Sequence, residues 1–315
     1  MSLIIQETGL LTILQTLDKE ESSTNNEYNG ACDRLAHQLA NTLVGNDISA
    51  PTIEMTVQPA TIKFTEPTII AYSGADFTGK SGGKDIHANR IYLFNRGDVL
   101  EFGDSPRGNR IYLAVAGGIK VESNHSNILG SGDEVVMCRE YTDQHQELFN
   151  VLKRDSVVKW GVDVYALVEV YISDLFHIVR RPDIPEEFYA KIEDTEYTVI
   201  KEKNRVALYL EGAELDAPEN DIIHPGIKGG VYIAGNKPVV ALNDFNQSTS
   251  AMHVGTIPQY HMHKLAQKRS GSKVKFKVID CDDAHANLYA HHMWVLSLFK
   301  AINYKLSKEL VKEKM

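Results

Sequence analysis

The chain has 315 residues, 43% hydrophobic and 24% charged, which is enough apolar material for more than one globular core. A net charge of -9, a pI near 5.7 and the lack of any clustered Lys/Arg face exclude nucleic acid as a partner. No apolar run approaches the roughly 18 to 20 residues that cross a bilayer, and the N-terminus has no basic leader, so the expectation is a cytoplasmic protein without a membrane partner.

Ile4 to Leu14 reads as a strand-like start, and Asp18 to Asn29 as a polar loop. Between Ala31 and Val44, Leu35, Leu39 and Leu43 recur every four residues with Ala36 and Ala40 beside them, which predicts an amphipathic helix. Asn29 or Gly30 opens it and Gly45-Asn46 closes it. Asp33 then falls in its first turn, where the helix dipole favours a negative charge, and Cys32 falls inside it as a small, semi-buried residue. Cys32, Cys138 and Cys281 are odd in number and far apart, so neither a disulfide framework nor a metal knuckle is expected.

From Thr52 the pattern changes to short β-rich runs punctuated by Gly, Pro and Asn: Ile53 to Val57, Thr61 to Phe64, Thr68 to Tyr72, Arg90 to Phe94, Val99 to Phe102 and Arg110 to Val115. That spacing predicts an antiparallel barrel or sandwich and not βαβ units. Gly74 to Ser81 matches the P-loop pattern GxxxxGK[ST] after a strand, but Gly82-Gly83 and the nearby run at Arg90 leave no room for the helix that phosphate binding needs. A Gly- and Lys-rich turn is the better account. Asn109 to Ile119 reads as a buried strand ending in a Gly-Gly turn, and Asn204-Arg205 before a second apolar run echoes it weakly.

Glu140 to Arg154 has apolar residues at helical spacing and reads as a connecting helix. Val157 to Val179 is rich in β-branched residues and Tyr. Pro185 is placed at the first position of a short helix carrying Phe188 and Ile192. The β-rich pattern then returns at Tyr197 to Ile200, Val206 to Leu210, Val231 to Ala234, Val239 to Leu242 and Val274 to Ile279, as a second all-β unit. Within it, Gly235-Asn236 between two runs predicts a hairpin, with Pro238 at the entry to its second strand. Gly226, Gly229 and Asn243-Asp244 around it suit the rim of a site or an ordinary structural hairpin. From Ala284 an amphipathic helix carries Leu288, Val295, Phe299, Ile302, Leu306 and Leu310 on one stripe, ending in mixed charges at Lys308 to Lys314. His261 and His263 alternate and would share a face on a strand, and His285 and His292 lie about two helical turns apart. No carboxylate or Cys falls at a recognised ligand spacing, so no metal is assigned.

Several blocks, in order, resemble the allophanate hydrolase subunit 2 family. They are Gly9 to Gln15, Gly30 to Asp33, Ala40 to Asn46, Ser73 to Asp76 and Tyr112 to Ile119, followed by Glu196 to Val199, Asn204 to Gly212, Pro225-Gly226, Lys237 to Asp244 and Leu265 to Gln267. The family includes the KipI antagonist, the C component of 5-oxoprolinase and part of the carboxyltransferase domain of urea carboxylase. The resemblance implies a mainly β fold of two tandem cyclophilin-like β-barrel domains with a few helices: residues 1-137 and 161-283, joined by a linker helix over 138-160 and followed by the C-terminal helix over 284-315.

It also implies a hetero-oligomer with a KipI-like B component and a further A component, opening 5-oxoproline to glutamate with ATP supplied through the complex. On other branches the chain would be a non-catalytic regulator that binds a KipI-like kinase inhibitor, or a carboxyltransferase component. The chain has no Met-Lys biotinylation motif, so carboxybiotin would come from another protein. In this reading Asp76 and Asp244 are the candidate acid/base or ligand-orienting carboxylates. Arg110 and Arg205 hold an anionic group, and Asp33, Gly226, Gly229 and Thr249 contribute to binding a small-molecule substrate. Some blocks depart from the family. Gln15 to Lys19 replaces Gln-Asp-Leu-Gly-Arg, and the loop over Val121 to Gly132 is shortened. Val231-Tyr232-Ile233-Ala234 stands for Ile-Gln-Val-Pro, and Asp244-Phe245-Asn246-Gln247 opens a block that has Asp-Arg-Gln-Thr.

Overall fold

The computed structural model describes residues 2–18, 30–121, 127–203, 205–216, 225–245 and 248–312. Asn29 and most of the polar stretch after Asp18, part of the 121–132 loop, Asn204, Asn246, Gln247, the Leu310 side chain and the last residues of the mixed-charge tail lie outside them. The chain forms two compact units, one from Met1–Ala166 with Val295–Met315 and one from Leu167–Trp294. The expected mainly β architecture is present, with helices at a few places and a long one at the end.

In the first unit, β1 (Ser2–Glu7), β2 (Leu11–Gln15), α1 (Arg34–Val44), β3 (Thr52–Thr56), β4 (Thr61–Phe64) and β5 (Thr68–Gly74) are followed by β6 (Gly79–Ser81) and β7 (Lys84–Ile86). Then come β8 (Ile91–Phe94), β9 (Val99–Phe102), β10 (Arg110–Val115), β11 (Glu134–Val136) and α2 (Asp143–Asp155). A six-stranded sheet runs β11-β1-β4-β9-β6-β7 and a five-stranded one β2-β3-β10-β5-β8, with antiparallel neighbours. Ile53, Met55, Ile111, Leu113 and Val115, on the odd face of β3 and β10, enter one apolar core with Leu3, Ile62, Phe64 and Ile70. The even face of those strands lies under α1, which packs on β5 and β10. Ala71 and Ala114 keep that face low enough for a helix to approach, and its remaining residues on β3 and β10 are polar, beside the apolar Ile69 of β5 and Ile13 of β2.

The structure departs from expectation at the start of this unit. The α1 helix starts at Arg34, and Asp33 is its N-cap, the carboxylate accepting the Ala36 N–H at 2.9 Å. Cys32 therefore precedes the helix, although it is buried. The P-loop-like segment is the hairpin β6–β7, turning at Gly82-Gly83 with φ of 55° and 78°, and no helix follows.

The second unit holds α3 (Val164–Ile172, shared at its start with the first), β12 (Leu175–Arg180), α4 (Glu186–Glu193), β13 (Glu196–Lys203), β14 (Ala207–Glu211), β15 (Gly230–Ala234) and β16 (Lys237–Ala241). β17 (Met252–Thr256), α5 (Gln259–Ala266), β18 (Lys273–Ile279) and α6 (Cys281–Lys312) complete the chain, α6 counting with this unit up to Trp294. Seven strands close into a barrel in the order β12-β17-β15-β16-β14-β13-β18, sealed by the parallel pair β12–β18. Phe176, Tyr197, Val199, Leu208, Val231, Val254 and Phe276 fill it.

The Gly235-Asn236 hairpin forms with positive φ at both residues, 56° and 64°, the signature of a type I′ turn whose twist matches the strands. Part of Val157 to Val179 is the helix α3 and not a strand. Its apolar run gives no period with which to tell the two apart. Pro185 is the N-cap of α4 and not its first helical residue. His261 and His263 lie on α5, so their strand-like alternation is a coincidence of helix spacing. On α6, Phe299, Ile302 and Leu306 are buried, whereas Leu288 is exposed and Val295 only half-buried.

Candidate functional site

Period-two alternation sets the first charged centre. Thr52, Glu54 and Thr56 on β3 share a face with Arg110 and Tyr112 on β10, and the register places Glu54 opposite Tyr112 and Thr56 opposite Arg110. All five are buried. The Arg110 Nε lies 3.8 Å from Glu54 Oε1, and neither side chain is exposed. Glu54 Oε2 also accepts the Cys32 N–H at 3.4 Å, and the Tyr112 hydroxyl accepts the Asp33 N–H at 2.8 Å. The segment entering α1 is thereby pinned to the sheet by one carboxylate and one phenol. His37, one turn into α1, meets Thr52 Oγ1 through Nδ1 at 2.9 Å. Burial pushes its pKa down to about 4, against the opposing pull of Glu54, so the ring is neutral near neutrality.

Asp76 sits in the loop after β5. Its N–H donates to the Arg107 carbonyl at 3.0 Å while its side chain faces solvent. Gly74 is what lets that loop reach β10: its φ is 119°, and a Cβ there would come within 2.3 Å of the Arg110 carbonyl oxygen. The cleft of about 440 Å³ around the P-loop-like residues Lys80, Ser81, Gly82 and Gly83 is also lined by Asp98 and Glu101, two carboxylates that do not suit a phosphate.

The second centre brings together two of the predicted residues. Arg205 Nε donates to Asp244 Oδ2 at 2.7 Å, with Nη2 to Oδ1 at 3.4 Å, and both side chains are nearly buried. The Asp244 N–H donates to the Arg205 carbonyl at 3.0 Å, so backbone and side chain lock the start of β14 to the end of β16. Gly229 ties the same end of the barrel, donating to Ala241 and accepting from Ile257. Gly226 lies in a loop held by Tyr232, whose hydroxyl donates to the Pro225 carbonyl and accepts the Ile227 N–H, both at 2.9 Å. Tyr232 also stacks on Phe245, centroids 5.4 Å apart at 25°, and lies 5.0 Å from His253, to which Arg181 donates at 3.1 Å. Two positions that depart from the family pattern are therefore in direct contact beside Asp244. Thr249 Oγ1 accepts the Ala251 N–H at 3.0 Å, a local turn contact.

A third cluster is not anticipated by the sequence as a unit. On β12 the His177 N–H donates to His261 Nδ1 at 2.9 Å, and the His177 ring is hydrogen-bonded to the Tyr260 hydroxyl at 2.7 Å. His263 contacts the Val170 carbonyl through Nε2 and stacks on His291 of α6, centroids 5.2 Å apart and the rings nearly parallel. Burial lowers all four, His261 to about 2 and His263 to about 3. Next along α5, Lys264 donates to the Leu175 carbonyl with its Nζ 4.5 Å from the Phe176 ring centroid, and Lys268 pairs with Asp174 over the same ring. Burial and then the Lys268 charge bring Lys264 down to about 8. Among the described residues, no three His, Cys, Asp or Glu side chains are placed to hold a metal ion.

The model of the carboxyltransferase domain, subdomain A and B, matches residues 27–139 and 160–278, which includes both charged centres. The chain belongs to this carboxyltransferase family. It is 26% identical over 265 residues to the C component of 5-oxoprolinase from Escherichia coli, covering 81% of this chain and 84% of that one. It is 36% identical over 276 residues to urea amidolyase of Saccharomyces cerevisiae and 26% identical over 285 residues to that of Lachancea kluyveri, in each case spanning 78% of this chain and only 15% of the relative. Kluyveromyces lactis urea carboxylase has the same fold over 94% of this chain and 29% of its own, with a TM-score of 0.75 at 18% identity. Two of the blocks on which the sequence resemblance rests have a structural job in this chain. Asn46 donates to the Val115 carbonyl at 2.8 Å and accepts the Gly117 N–H at 3.0 Å, clamping the block after α1 to the Gly-Gly turn after β10.

Proposed function

We propose that the chain is the C-type component of a 5-oxoprolinase complex. It would act with a KipI-like B component and an A component in the ATP-dependent opening of 5-oxoproline to glutamate. The observation that carries this reading is the similarity to the 5-oxoprolinase C component of E. coli, 26% identical over 265 residues, in a chain whose family match takes in both charged centres. In this reading the Arg205–Asp244 pair acts as one rigid element, with Asp244 orienting Arg205, and the exposed Asp76 is the carboxylate placed to exchange a proton. ATP enters through the partners. The test is 5-oxoproline-dependent ATP hydrolysis by the complex reconstituted with both partner components, with Asp76→Ala and Asp244→Ala as controls. A complex that forms yet turns over no faster than the partners alone sinks the enzyme reading and leaves a binding regulator.

The 36% identity to the S. cerevisiae urea amidolyase favours a second reading, a carboxyltransferase component that takes carboxyl from biotin borne by another protein. It predicts transfer from carboxybiotin to an amide nitrogen without any requirement for 5-oxoproline.

A further inference from the structure

The α6 helix runs unbroken from Cys281 to Lys312 and begins after residue 278, where the family match ends. Its buried stripe, Phe299, Ile302 and Leu306, accounts for only one side of it. A second stripe lies about a third of a turn away: Tyr289, Met293, Leu296 and Tyr304, spaced 4, 3 and 8 residues apart, are 68%, 45%, 37% and 57% exposed. This stripe is about 22 Å long at 1.5 Å per residue. Isolated apolar side chains at a surface are ordinary, but four in register along one helix are a face.

The charges flanking that face are sorted along the axis. Asp282 and Asp283 stand at its start, the chain from Ala284 to Lys308 carries no acidic residue, and Lys300 and Lys308 lie toward its end, before Glu309. Asp283 and Lys308 sit on the same flank of the stripe, and the midpoint between them falls at Val295 and Leu296, the middle of the apolar face. A helix with this order of charge repels a parallel copy of itself and attracts an antiparallel one, whose dipole is also opposed.

We propose that this face is a self-association surface, on which α6 of a second copy lies antiparallel about a two-fold axis at Leu296. In that register Leu296 meets Leu296 of the second copy, Lys300 comes between Tyr289 and Met293, and Asp283 faces Lys308 on both sides. The arrangement is isologous, so it closes at two chains.

Sedimentation equilibrium of the full chain, at low and at high salt, tests this. The expected result is a reversible monomer–dimer equilibrium that weakens with salt. Leu296→Asp, used at a temperature where its circular dichroism matches that of the parent, weakens it at least roughly tenfold. Asp283→Lys and Lys308→Asp each weaken self-association, and mixing the two variants restores it as a heterodimer, because each then supplies the charge the other lacks. A chain that stays monomeric overturns the proposal. So does a dimer indifferent to Leu296→Asp, a mixture no tighter than its components, or a wild-type monomer whose Leu296 face is needed only for binding another protein.

Discussion

Acid should unfold the second unit in a manner its histidines determine. His261 and His263 ionise at about 2 and about 3 in the folded chain because burial disfavours their charged forms, against an ordinary value of 6.5. Between those limits the unfolded chain binds more protons than the folded one, so stability is full above about pH 6.5 and falls as the pH drops through that window. At about pH 5 each unfolded histidine gains about 2 kcal/mol from protonation that the buried ring forgoes, or about 4 kcal/mol for the two. That is a large share of the roughly 5 to 15 kcal/mol that holds a domain together. The mechanism is local: protonating His261 removes the Nδ1 acceptor of the His177 N–H, and protonating His263 sets a cation against the His291 ring. Lys264, lowered to about 8, is protonated in both states below neutrality and adds no slope there. Urea unfolding at about pH 7.5 and about pH 5 measures the loss, with Trp294 fluorescence reporting the second unit in a Trp160→Phe background. His263→Phe, which keeps a ring on His291 but cannot titrate, should recover about 2 kcal/mol of it. An equal loss in parent and variant would refute the assignment.

Arg205→Met should cost about 3 to 5 kcal/mol, because it leaves the nearly buried Asp244 carboxylate without its cation, and Asp244→Leu in the same chain should recover most of that in a denaturation series. Asp33→Ala should lose about 1 to 2 kcal/mol of α1 capping and Asp33→Asn much less, read by thermal melting. Tyr232→Phe, which removes the hydroxyl holding Pro225 and Ile227, should cost about 1 to 2 kcal/mol and raise hydrogen exchange in that loop. Lys80→Ala should leave nucleotide affinity of the chain unchanged, since Lys80 sits in a hairpin and not at a helix N-terminus; a measurable fall in that affinity would revive the phosphate site.

The strands of the first unit are legible in the sequence because each apolar run is bounded by turn residues, and β4, β9 and β10 fall where the runs do. The second unit is harder for two physical reasons. Val164–Ile172 is apolar apart from Glu169, which removes the period that separates helix from strand. Met252–Thr256 is too short and too polar to show one, and Gln259–Ala266 after it shows in the sequence only as alternating histidines. At the candidate site Arg110 and Arg205 are visible as arginines opening apolar strands, but their partners differ in legibility. Asp244 lies 39 residues from Arg205 with nothing in the intervening pattern to join them. Glu54 does carry a usable signal, a lone carboxylate between two threonines on one face of a strand whose other face is apolar.

The two departures from the family pattern in the second barrel have to be weighed together. Taken singly, Tyr232 and Phe245, where the resemblance leads one to expect a glutamine and an arginine, read as two losses of polar function. In the fold they are one contact, a stacked pair that buries Tyr232, steadies the Pro225–Ile227 loop through its hydroxyl and ends one residue from Asp244. Neither ring would be as well packed without the other, since an offset-stacked pair is worth about 0.5 to 1.5 kcal/mol beyond its burial. The charge at Asp244 is untouched, because its partner Arg205 belongs to the strand on the other side. The rim of this barrel thus sets an aromatic pair beside a nearly buried ion pair, and the two are separable: a change at Tyr232 or Phe245 leaves Asp244 the cation it needs.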